Sequence, residues 1–193
     1  GKSYEHYMKR NFENRVKAKV DKHTKRLHRF MWFAEIGGEA KLSEEECLQI
    51  AAQFIQTYYG EYVPYLKILK TDFEEFEEIR AFYQFYIEKD GFVIENDYFQ
   101  VSVSKQTGAV TMFNAPSISI EQIIGFKPST LLPMNKILPM DNRLRVKLEW
   151  KKAYDSNYED NGQMQLIYRI VSKTDAPIMG INAQSGDLIY SLF

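Results

Sequence analysis

Cysteine occurs once in the 193 residues, at Cys47, so no intrachain disulfide can form and a disulfide-stapled mini-domain is excluded. No apolar run reaches the roughly 20 residues of a membrane-spanning helix, none reads as a signal peptide, and the chain opens on Gly1-Lys2 rather than Met. The net charge is only -1, which excludes a generally basic nucleic-acid binder. There are three histidines, His6, His23 and His28. The pair 23/28 is five apart, whereas two ligands on one helix face stand four apart, and no carboxylate cluster joins them, so no metal is assigned. No base stands beside a nucleophile and no nucleotide motif occurs, so no catalytic residue, enzyme activity or cofactor is assigned either.

Aromatics are plentiful, with 13 Tyr and 13 Phe, which leans toward β-structure because rings fit a pleated surface. Charge is unevenly divided. Residues 1–29 carry ten Lys/Arg against three acids, a local excess of cations that the remaining chain more than cancels.

From Tyr4 to about Ala34, Phe12, Val16, Val20, Leu27, Phe30, Met31 and Ala34 fall in one stripe at 100° per residue, which predicts a long amphipathic helix closed by Gly37-Gly38. His23 lies in that stripe as a partly buried packing residue. Lys17, Lys25 and Arg26 are among the cations on the other faces, where they would meet an anionic membrane surface or an acidic partner.

Leu42–Pro116 holds the clearest element. Ser43 is an N-cap, Glu46 completes a capping box and Leu42 can staple onto Cys47. Cys47, Ile50, Ala51, Phe54, Ile55 and Tyr58 make the buried stripe, and Gly60 suits the C-terminal stop. Cys47 is read as a small core residue: three glutamates precede it and oppose thiolate formation. An acidic run, 72–78, reads as a solvated loop. Ile79, Ala81, Tyr83, Phe85 and Ile87 alternate toward the helix, leaving Phe82 and Tyr86 on a second face that is more apolar than solvent requires and is a candidate partner-binding surface. Asp90-Gly91 and Lys105-Gln106-Thr107-Gly108 mark turns.

Beyond Pro116 the pattern returns in worn form. Ser119-Ile120-Glu121-Gln122 is a second capping-box string whose helix is cut short by Gly125 and Pro128. Arg145–Trp150 and Met164–Ile170 alternate as strands, separated by a polar loop over 155–162. Ile181-Asn182-Ala183-Gln184-Ser185-Gly186-Asp187-Leu188 echoes Val103-Ser104-Lys105-Gln106-Thr107-Gly108-Ala109-Val110, which points to an internal repeat.

LSEEECLQIAAQFI, the endings VSVSKQTGAV and INAQSGDLI, and the strand around Leu166-Tyr168-Arg169 resemble the bacterial YcdB/YcdC repeat family, related to PepSY domains. The resemblance covers roughly residues 42–193. It departs at Ser104 and Asn182, where the family often has Asp. PepSY domains occur in propeptides of thermolysin-type metallopeptidases and are thought to restrain them. The resemblance therefore implies a non-catalytic module outside the cytoplasm or at the cell envelope that binds a protein or peptide, a peptidase among the candidates. The alternative is a membrane-surface protein anchored by the basic helix. The expected fold is α+β: a basic helix over 1–38, a PepSY-like helix-on-antiparallel-sheet unit over 39–116 and a degenerate second unit over 117–193.

Overall fold

The structure, a computed structural model, describes residues 3–10, 14–34, 38–70, 79–125, 132, 146–154, 160–170 and 178–190. The described chain is dominated by strands, and the expected architecture is overturned at its first element. In place of a long basic helix stand three antiparallel strands, β1 (Tyr4–Arg10), β2 (Asn14–Asp21) and β3 (Leu27–Ala34). Val16, Ala18 and Val20 alternate with Arg15, Lys17 and Lys19, and a period of two with β-branched residues suits a pleated strand better than a helix. Asp21 then breaks the run. Its carboxylate accepts the N–H groups of His23 (2.9 Å) and Thr24 (2.7 Å), an Asx turn completed by Lys25 at φ 56°. His23 is consequently an exposed turn residue, not a packing residue in an apolar stripe.

The chain divides into two compact units, residues 1–87 with 97–117 and residues 88–96 with 118–193. In the first, β1, β2 and β3 lead to β7 (Val110–Asn114), then β6 (Phe92–Ser104), β5 (Arg80–Lys89) and β4 (Leu66–Lys70). Register carries one row across the sheet: Tyr7 opposite Ala18, Ala18 opposite Phe30, Phe30 opposite Phe113, Phe113 opposite Val101. Helix α1 (Glu44–Tyr59) packs on this face. Phe54, Tyr59 and the 3-10 turn residue Tyr62 meet Phe99 and Phe113 at ring separations of 5.1–5.6 Å. Burying each such ring stabilises by about 1.5–3 kcal/mol.

The helix begins as its sequence specifies. Ser43 Oγ accepts the Glu46 N–H at 3.2 Å and the Glu46 carboxylate accepts the Ser43 N–H at 2.8 Å. Gly60 does not end it in a left-handed turn, however. Its φ is −54°, and the chain tightens into a 3-10 helix, Gly60–Tyr65, which delivers Tyr62 to the core. Cys47 is fully buried, and burial pushes its thiol pKa up.

The second unit orders the tip of β6, β8 (Val146–Tyr154), β9 (Asp160–Ile170), β10 (Ile178–Asn182) and β11 (Leu188–Tyr190). Ile94 and Trp150 pair in parallel, so the sheet is mixed rather than antiparallel throughout. Strand β9 already begins at Asp160, inside the stretch expected to be loop. Trp150, Leu166, Ile167 and Ile181 are buried. A short helix, α2 (Ile120–Gly125), follows Ser119, whose hydroxyl accepts the Gln122 N–H at 3.2 Å. The acidic run 72–78 and most of 126–145 lie outside the described residues.

The two closing turns match bond for bond. Ser104 N–H donates to Ala109 O and Gly108 N–H to Ser104 O; Asn182 N–H donates to Asp187 O and Gly186 N–H to Asn182 O, all at 2.8–2.9 Å. Gly108 and Gly186 both have left-handed backbones, φ 74° and 82°. Ser104 Oγ accepts the Thr107 N–H, and Asn182 Oδ1 accepts those of Gln184 and Ser185, so each side chain serves as the cap of its turn. Above each turn sits a leucine. Leu42 N–H donates to Lys105 O at 2.8 Å and Leu132 N–H to Ala183 O at 2.7 Å. By this correspondence the second-unit counterpart of Leu42 is Leu132.

Urea unfolding of three variants checks these assignments. Ser43→Ala is expected to cost about 1 kcal/mol in urea unfolding. Gly108→Ala is expected to cost about 2–3 kcal/mol, because a Cβ there is strained and also meets Ile50 Cδ1 at 3.2 Å and Leu42 Cδ1 at 3.3 Å. Gly91→Ala, with φ 84° but nothing within 4 Å, should cost only about 1–2 kcal/mol.

Candidate functional site

Helix α1 presents two apolar rows rather than one. Cys47, Ala51, Ile55 and Tyr59 face inward and are buried. Ile50, Phe54 and Tyr58 form a second row rotated by about 60°, and along it burial fades until Tyr58 is 51% exposed. The sequence stripe ended on Tyr58; the buried tyrosine is Tyr59.

That second row borders an open groove of about 670 Å³ within the first unit. Leu42, Ile50, Phe54, Tyr58 and Val110 supply its apolar lining, and Glu46, Gln49, Gln53 and Thr57 its polar side. Phe54 is held between Tyr58 (4.8 Å) and Phe113 (5.1 Å), so the apolar wall is continuous with the core. Thr57 Oγ donates to Gln53 O at 2.8 Å, and Glu46, whose carboxyl pKa is lowered by the Ser43 N–H, is engaged in the capping box. The wall is therefore fixed by the same bonds that fix the helix. Its lining offers apolar contact beside side-chain amides; among the described residues no group of three or more His, Cys, Asp or Glu stands close enough to hold a metal.

The residues expected at a partner surface are dispersed. Phe82 and Tyr86 are half-buried on the face of β5 away from α1. The Tyr86 ring lies 5.0 Å from that of Tyr98, and its hydroxyl donates to Gln84 Oε1 at 2.8 Å. Lys17 stands on β2, in register with Met8 and Met31, with β3, β7 and β6 between its strand and β5. Lys25 and Arg26 belong to the β2–β3 turn. Lys25 pairs with Glu5 at 3.1 Å; Arg26 is bound to Glu61 and lies 5.5 Å from the Tyr59 ring. The basic helix expected to carry these three cations is absent, and its anchoring role falls with it. Sequence reasoning missed Gln49, Gln53 and Val110. The available signal was the second row on α1, which the single-stripe reading merged with the first.

Residues 4–117, the span of β1 through β7, match the family described as the YcdB, YcdC repeated domain. The chain belongs to this family. YcdB of Bacillus subtilis strain 168 is 24% identical over 193 residues, covering 100% of this chain and 39% of that protein. YcdC of the same strain is 25% identical over 170 residues, covering 86% of this chain and 36% of the other. The chain thus spans less than half the length of the relatives it matches. Among solved structures, the Bacillus megaterium YpeB C-terminal domain aligns with a TM-score of 0.50 at 15% identity, covering 97% of this chain and 84% of that one. This likeness is one of fold. The family match, which begins at residue 4, takes in the N-terminal strands ahead of the capped helix that the sequence resemblance rested on.

Two phenols brace α1 at its ends. Tyr83 on β5 donates to Glu44 O and Tyr59 to Leu27 O on β3, each at 2.6 Å, and burial pushes both phenols up to about 12 from 10.0. A folded value above the unfolded one means that this stability is whole below pH about 10 and is lost as pH rises through about 12. Alkaline titration of the phenolate absorbance should therefore show late-titrating groups, of which Tyr59→Phe and Tyr83→Phe each delete one.

Proposed function

We propose that the chain is a non-catalytic module of the cell envelope or exterior that binds a segment of a partner protein in the groove beside α1 and so restrains a peptidase. The observation that carries this reading is the groove itself. It is an apolar wall with an exposed tyrosine at its end and amides alongside, the composition of a site that grips side chains and satisfies main-chain polar groups at once. The PepSY-like resemblance of the capped helix and closing turns supports a peptidase as the partner class, and the likeness to the YpeB C-terminal domain supports the same fold-level reading. Phe82 and Tyr86 form a secondary contact surface in this proposal.

The test is inhibition of thermolysin-type metallopeptidases, read from progress curves with a peptide substrate. The wild-type protein should slow at least one such enzyme. Tyr58→Glu, at an exposed position, should weaken that effect by about tenfold or more, the loss of one central aromatic anchor, while leaving the thermal melt nearly unchanged. Failure of the wild type to slow any of them, or equal restraint by Tyr58→Glu, removes the reading.

A further inference from the structure

The face of β1–β3 turned away from α1 carries cations of one sign in adjoining rows. Register places His6 opposite Lys19 and Lys19 opposite Arg29; Met8 opposite Lys17 and Lys17 opposite Met31; Arg15 opposite Phe33. Neighbouring strands lie about 4.8 Å apart, so Lys19 and Arg29 are like charges directly across a strand pair; the Lys19 ammonium sits over the Tyr4 ring at 3.8 Å, while Arg29 is exposed. The described acids of this segment are engaged elsewhere. Glu5 receives Lys25 and Tyr7, and Asp21 caps its turn. Amid the cations stand exposed apolar groups, Met8 at 54% and Phe33 at 45%, with Lys17 Nζ 5.6 Å from the Phe33 ring.

We infer that this sheet face docks on an anionic lipid bilayer. Charge complementarity favours it: Arg15, Lys17 and Arg29, all exposed, would each meet headgroup phosphate, while Met8 and Phe33 enter the headgroup boundary. A folded acidic protein would also complement these cations, but the exposed methionine and phenylalanine among them favour a surface with an apolar interior beneath its charges. Nucleic acid would be bound by the cations alone, leaving the exposed methionine and phenylalanine without a role. The expected N-terminal helix plays no part. The cations act from strands, and the proposal stands apart from the groove beside α1.

The experiment is co-sedimentation of the whole chain with vesicles of phosphatidylcholine alone or mixed with phosphatidylglycerol. Binding should require phosphatidylglycerol and collapse near 1 M salt, where the screening length falls to about 3 Å. Lys17→Gln with Arg29→Gln should lower the partition coefficient about 25-fold, roughly fivefold per cation removed. Phe33→Ser should weaken binding while keeping its salt dependence, and Lys41→Gln, outside this face, should change nothing. Melting curves of all variants should match the wild type, since the replaced side chains are largely exposed. Equal binding to neutral vesicles, retention of binding by the double variant, or binding to DNA but not to vesicles overturns the inference.

Discussion

The carbonyl of Lys105 holds the first unit together. It accepts the N–H groups of both Lys41 and Leu42 at 2.9 and 2.8 Å, while the Lys105 N–H donates to Ile79 O at 3.0 Å. One residue in a strand-to-strand turn thereby fixes the approach to α1 and the entry to β5. Everything downstream of that seat is determined: Ser43 caps the helix from a backbone already in place, Tyr83 reaches Glu44 O, and Tyr59 arrives over Phe99 and Phe113. The second unit repeats the seat at Ala183, which accepts Leu132 N–H and donates to Leu166 O. The two carbonyls have matched leucine donors although the turns carry Ser104 in one copy and Asn182 in the other. Either side chain can accept the turn's N–H groups, and neither needs a charge.

The turn also shapes the groove. Leu42 and Ile50, whose methyl groups stand closest to Gly108, are groove-lining residues, and Val110 follows the turn directly. A side chain at position 108 would press on that wall from beneath, so the glycine serves both the backbone conformation and the shape of the surface above it. Fold and candidate site are therefore not separable here: the bonds that cap and seat α1 are those that hold Ile50, Phe54 and Tyr58 in a row.

What could be read from the sequence follows from the range of the forces involved. Ser43 with Glu46, Asp90-Gly91 and the paired closing turns are local devices, each complete within a few residues, and all appear where their residues stand. The N-terminal strands read as a helix because Val16 and Val20, four apart, fit a helical stripe as well as they fit alternation, although Phe30 and Met31, one apart, lie on opposite faces of β3. The decision between them rests on Asp21, whose turn breaks the chain into a hairpin, and on pairing with β7, a partner far off in sequence. The parallel pairing of Ile94 with Trp150 is equally non-local. The Trp150 indole donates to Lys89 O at 3.0 Å, a contact that no periodicity announces.

The groove escaped detection for a related reason. A hydrophobic stripe on a helix shows that a face is apolar, not which part of it a sheet will cover. On α1 the inward row ends at Tyr59, whose hydroxyl is claimed by Leu27 O, and that bond fixes the rotation of the helix about its own axis. With the rotation fixed, Tyr58 must project outward. An exposed aromatic beside a buried one is thus a consequence of one hydrogen bond to a strand that the sequence had presented as helix. The misreading of β3 and the missed groove are the same error, since only once Leu27 is placed on a strand does the helix have a unique orientation and its second apolar row a surface to line.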